Sequence, residues 1–121
     1  MKFLSCLFLF WVALSSLLGT ALAEGFENPS FPPAGWTVVN GGDANTWVRN
    51  TGSYYVHSGG GSASIIYTTA AHDDWLITPQ LIPTTGDVTF SFWARNVSTY
   101  IDRFNLKLST YGTDIADFTV T

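Results

Sequence analysis

Two adjacent carboxylates, Asp73 and Asp74, run directly into the short apolar stretch Trp75-Leu76-Ile77-Thr78, which Pro79 closes. A carboxylate beside a buried strand has to be neutralised by water, a basic side chain or a metal ion, because an unpaired charge in apolar surroundings is costly. Calcium is the metal that suits such groups, since it takes about six to eight oxygens, mostly from carboxylates and carbonyls. Glu27 is a third acid, placed at the end of a short expected strand, and strand ends of a β-sandwich gather at one rim. Asp43 and Asn45, in an Asx-rich loop, could add further oxygens. By residue type alone, solvated loop acids explain this set as well as a metal site does.

Catalytic readings find little to work with. A glycosidase needs two carboxylates flanking one bond, and Asp73 and Asp74 on an extended backbone would point to opposite sides. His57 sits in a glycine-rich loop and His72 beside the acids; neither has a nucleophile partner, and there is no G-x-S-x-G turn. Both are expected to be exposed loop histidines. The run Gly59-Gly60-Gly61 lacks the Lys-Ser/Thr pair and the helix of a phosphate loop. No enzyme is expected. Binding is better served. Aromatic rings stack on the apolar face of a pyranose, and Tyr54 and Tyr55 lie in an irregular loop where their rings can be exposed. Trp93 lies on the opposite side from Val88, Phe90, Phe92 and Ala94, so it is either exposed or covered by a second layer. Tyr54, Tyr55 and Trp93 are the ligand-binding candidates.

The elements that must position these groups follow a leader. Met1-Lys2 precedes an apolar run over residues 3–18, and Ala21-Leu22-Ala23 is an A-x-A cleavage signal. Residues 1–23 are therefore expected to be a signal-peptide helix removed on export, leaving a secreted or cell-surface domain over residues 24–121. Cys6 leaves with the leader, so no disulfide staples the rest. The chain has nine acidic against five basic residues, a net charge of −4. With no basic patch, nucleic acid and anionic membrane surfaces are unsuitable partners. The mature part carries no membrane span.

Short strands are predicted over residues 25–27, 36–39, 46–49, 63–68, 75–82, 88–95 and 104–108, separated by Gly-, Pro- and Asx-rich turns. Residues 88–95 show the strictest period of two, and Gly86-Asp87 turns the chain before them. No helical period follows the leader. The fold class is all-β, an antiparallel β-sandwich. The final β-prone segment over residues 116–121 has no closing turn, so the sheet is expected to be incomplete there.

Several stations in order carry a family resemblance: Gly25-Phe26-Glu27, Phe31-Pro32-Pro33-Ala34-Gly35-Trp36, Trp47, the loop Ser58-Gly59-Gly60-Gly61-Ser62-Ala63, the stretch from Asp73 to Pro79, and Val88-Thr89-Phe90-Ser91-Phe92-Trp93-Ala94. This pattern resembles the cleaved adhesin domain, also called choice-of-anchor J, of bacterial surface proteins and gingipain haemagglutinin regions. The family is similar in fold to MAM domains and galactose-binding-like jelly rolls. The resemblance implies a jelly roll whose closing strands lie beyond residue 121. It also implies a structural calcium with Glu27 and one of Asp73 or Asp74 among its ligands. It points to bacteria, where the sequon Asn96-Val97-Ser98 carries no glycan. The function implied is a non-catalytic adhesion or substrate-targeting module, part of a larger protein, that binds extracellular glycans or proteins. The alternatives are a structural spacer with no ligand of its own, and a carbohydrate-active enzyme whose site lies elsewhere in the protein.

Overall fold

The computed structural model describes residues 3–9, 22–69, 71–83, 88–99 and 103–121. Among them run β1 (Phe3–Leu9), β2 (Thr37–Val39), β3 (Val48–Asn50), β4 (Ser62–Ser64), β5 (Trp75–Ile77), β6 (Arg103–Ser109) and a 3-10 turn over Ile115–Asp117. The all-β class expected from the strand and turn signals is borne out. One sheet holds four strands in the order β2-β5-β1-β6, and β3 pairs with β4 in a second, two-stranded sheet.

The core is built on β5. Trp75, Leu76 and Ile77 are all buried, which is why this strand reads as a continuous apolar run instead of an alternation. Trp75 and Ile77 pack with Phe118 and with the half-buried Val39 of β2. The Trp75 and Phe118 rings lie 6.0 Å apart, and the Lys107 ammonium of β6 sits 5.3 Å from the Trp75 ring centroid. Burying a large apolar side chain of this kind stabilises by roughly 2–3 kcal/mol. Phe118 reaches the core because the chain folds back after β6. Ser109, fully buried, accepts the N–H groups of Tyr111 and Gly112 and donates to the Gly112 carbonyl. Leu108 and Val120 then exchange backbone hydrogen bonds at 2.9 and 3.2 Å.

Residues 3–9 depart from the signal-peptide helix expected there. They form β1, parallel to both neighbours, with Cys6 opposite Leu76 of β5 and Leu106 of β6. Backbone N–H and C=O groups seek partners, and β5 and β6 supply them along this segment. The pairs that exclude β1 are antiparallel, as expected. The other residues up to Ala21, where the signal peptide was expected, and the turn at Gly86-Asp87 lie outside the described residues.

Two further expectations change. Residues 88–95 are not a strand, and Val88, Phe90 and Phe92 are exposed. Phe92 instead contacts Phe90 and Phe104, at 5.6 and 6.0 Å between ring centroids. Alternation sorts side chains to two sides, but a ladder also needs a neighbouring edge in register. Residues 25–27 are likewise irregular, because Phe26 takes a φ of 58°, which no strand accommodates.

Candidate functional site

β3 and β4 are antiparallel with Asn50 opposite Ser62, so the irregular stretch between them is a hairpin loop. Asn50 Oδ1 accepts the Gly52 N–H at 3.0 Å, and the N–H groups of Tyr55 and Val56 bond to the Gly52 carbonyl at 2.8 and 3.3 Å. This turn displays Tyr54 and Tyr55, which are 62% and 45% exposed, with their rings edge to face at 5.3 Å. Gly52 suits the position because a Cβ there would lie 3.1 Å from the Tyr55 ring.

Residues 93–97 lie along this loop. The Trp93 ring stacks on His57, with centroids 4.1 Å and planes 13° apart. Arg95 places its guanidinium carbon 5.0 Å from the Tyr54 ring centroid, and the Tyr54 hydroxyl donates a long, weak bond of 3.5 Å to the Val97 carbonyl. Trp93 is 79% exposed, so the face turned away from His57 is open to solvent. The three aromatic candidates thus share one surface with His57 and Arg95, two residues the sequence reading did not assign to it. The signal for Arg95 was its place two residues from Trp93, on the same side of a period of two. No local pattern pairs His57 with a tryptophan so distant in the chain.

The far end of the same loop is anchored at Glu27. Glu27 Oε2 accepts the Gly60 N–H at 2.8 Å. Arg49, the central residue of β3, donates from Nε to the Phe26 carbonyl at 2.6 Å, and from Nη2 to the carbonyls of Glu27 and Gly60 at 3.0 and 3.2 Å. The glycine run makes this geometry possible. A Cβ on Gly61 would collide with the Phe26 carbonyl oxygen, and one on Gly59, at φ 73°, with the Glu27 carboxylate. Phe26, in its left-handed conformation, makes ring contacts with Phe31 at 6.1 Å and Trp36 at 5.5 Å. One guanidinium therefore ties the N-terminal segment, β3 and the loop together.

Asp73 and Asp74 are held elsewhere. Asp73 is exposed and accepts the Trp75 indole N–H at 2.9 Å, as expected for residues two apart on one side of a strand. Asp74 is completely buried. Its Oδ1 accepts the Gly41 N–H at 3.2 Å, and its Oδ2 lies 2.5 Å from His72 Nδ1. His72 is 7% exposed, contrary to the exposed loop histidine expected, because Asp74 gives its ring a buried partner. On its other side, His72 Nε2 lies 3.3 Å from Thr68 Oγ1 and 3.8 Å from Asp43, to which the Thr68 hydroxyl donates. Gly41 closes this cluster, since its carbonyl accepts the Asp73 N–H at 2.8 Å.

These contacts do not bring Glu27 together with Asp73 or Asp74. The oxygens that converge on a cation, the carbonyls of Phe26, Glu27 and Gly60, already hold the Arg49 guanidinium. Both Asp74 oxygens are occupied by Gly41 and His72. Among the described residues, no group of three or more His, Cys, Asp or Glu side chains is gathered to hold a metal ion. Glu27, Asp73 and Asp74 are thus held by separate sets of partners among the described residues. Among the described residues, no helix is long and apolar enough to cross a membrane.

A family model described as Cleaved Adhesin Domain matches residues 19–121. No curated protein and no solved structure matches the chain. The family match covers most of the sequence, and the chain belongs to the cleaved adhesin domain family.

Proposed function

We propose that this cleaved adhesin domain is a non-catalytic adhesion or targeting module, and that the surface of Tyr54, Tyr55 and Trp93 binds extracellular glycans. The observation that carries the reading is Trp93, whose indole is braced on one face by His57 and 79% exposed. Exposed aromatic groups gathered in one place mark recognition surfaces. Tyrosine and tryptophan also give large contact areas at small conformational cost, because each has only two side-chain torsions to fix. The open indole face takes the apolar side of one sugar ring. Tyr54 and Tyr55, set edge to face, offer a second face nearby. The clamp at Arg49 and Glu27 fixes the loop that presents them, so little ordering is left for binding to impose.

The cleft beside β2 and the end of β5, lined by Thr37, Val39, Ile77, Thr113 and Asp114 among others, presents a single carboxylate. Glycosidic hydrolysis ordinarily uses a pair, so this cleft does not resemble a glycosidase site. A glycan array probed with the full chain and with a Tyr54→Ala/Trp93→Ala variant tests the proposal. Binding to a defined subset of glycans, lost in the variant, is expected. Equal signals from both proteins would overturn the assignment of this surface, and no signal from either would favour the spacer reading.

A further inference from the structure

We infer that the ligand of this surface carries a carboxylate, so that the substrate class is an acidic saccharide containing a uronic or sialic acid. The inference rests on the binding surface proposed above and adds its charge preference. Arg95 carries it. Its guanidinium lies 5.0 Å from the Tyr54 ring centroid, and among the described residues it makes no hydrogen bond or ion pair. Among the other described basic residues, Arg49 is engaged by three carbonyls and Arg103 has a partner of its own, while Lys107, which also lies over a ring, is half-buried against the core residue Trp75.

A guanidinium presents planar paired N–H donors that match a carboxylate in two parallel hydrogen bonds. Stacking on Tyr54 restricts its side chain in advance, so less freedom is lost on pairing. The chain as a whole carries a net charge of −4, which gives no long-range attraction for anions. An anion-selective contact in this chain must therefore be local, and Arg95 stands among the rings that would hold the sugar. A pyranose bearing a carboxylate engages both features at once. Its apolar face lies on Trp93 or Tyr54, and its carboxylate meets the Arg95 fork. Neutral sugars use only the rings.

The experiment is calorimetric titration of the full chain with trigalacturonate against its methyl ester, and with sialyllactose against lactose. At least one acidic sugar should bind about tenfold more tightly than its neutral counterpart, the scale of a charge-assisted pair. In Arg95→Gln the preference should disappear, with the acidic ligand binding no more tightly than its neutral counterpart. Equal affinities within both pairs in the unmodified protein, or a preference that survives in Arg95→Gln, would overturn the inference while leaving the ring surface intact. No binding of any of the four sugars, together with a silent array, would overturn both.

Discussion

Replacing Arg49 with methionine removes the guanidinium and keeps a stem of similar length. The Nε bond to the Phe26 carbonyl, at 2.6 Å and partly buried, is charge-assisted and contributes about 1.5–3 kcal/mol. The two Nη2 bonds are exposed to water, which substitutes for the lost donor, so together they add only about 0.5–1 kcal/mol. Against this stands the left-handed Phe26, whose strain of about 1 kcal/mol can relax once its carbonyl is released. The net loss is about 2 kcal/mol. A domain of this size loses about 4–8 °C of melting temperature per kcal/mol, so Arg49→Met should melt about 8–16 °C lower. Arg49→Lys should recover less than half of that loss, because an ammonium cannot reproduce the planar fork that spans three carbonyls. Thermal unfolding of the full chain followed by circular dichroism provides the reading. A melting temperature within about 2 °C of the unmodified protein, in a sample that unfolds cooperatively, would refute the clamp.

Gly61→Ala should destabilise by at least about 2 kcal/mol, read as a lower urea midpoint, because the added methyl meets the Phe26 carbonyl and not a movable side chain. Asp74→Ala should cost about 3 kcal/mol, since it strips a buried acceptor from both His72 and Gly41; a loss below about 1 kcal/mol in the same urea series would contradict that assignment. Calcium in excess, compared with a chelator, should move the melting temperature of the unmodified protein by less than about 2 °C. A rise of more than about 5 °C with calcium would mean that a cation binds the native state, and would restore Glu27, Asp73 and Asp74 as ligand candidates.

Strands were legible where pattern and edge agreed. The acids leading into Trp75-Leu76-Ile77 announced β5, and the alternation of Phe104, Leu106 and Leu108 announced β6. Residues 88–95 had the stricter alternation and no strand, because periodicity says which side a residue takes and nothing about a neighbouring edge. The tyrosines of the hairpin loop were readable as exposed aromatics, whereas for Trp93 the pattern left exposure and cover by a second layer both open. Their companions were not, since the contacts of His57 and Arg95 lie far along the chain. Arg49 escaped notice for a related reason. A single arginine in a short strand carries no local signal that its acceptors include carbonyls 22 and 23 residues earlier. The glycines at 59 and 61 held part of that information, as positions where a side chain would strike Glu27 or Phe26, but that reason is visible only once the loop is folded.

The central claim, that the Tyr54, Tyr55 and Trp93 surface is the binding face, is tested most directly by one comparison. The strongest glycan from the array is titrated into the unmodified chain and into Trp93→Ala, with the melting temperature of each measured alongside. Trp93 is 79% exposed, so its loss should change stability by no more than about 0.5 kcal/mol. Affinity should fall by about tenfold or more, as for loss of an aromatic anchor at the centre of an interface. Unchanged affinity in a variant that melts normally would place the binding face elsewhere.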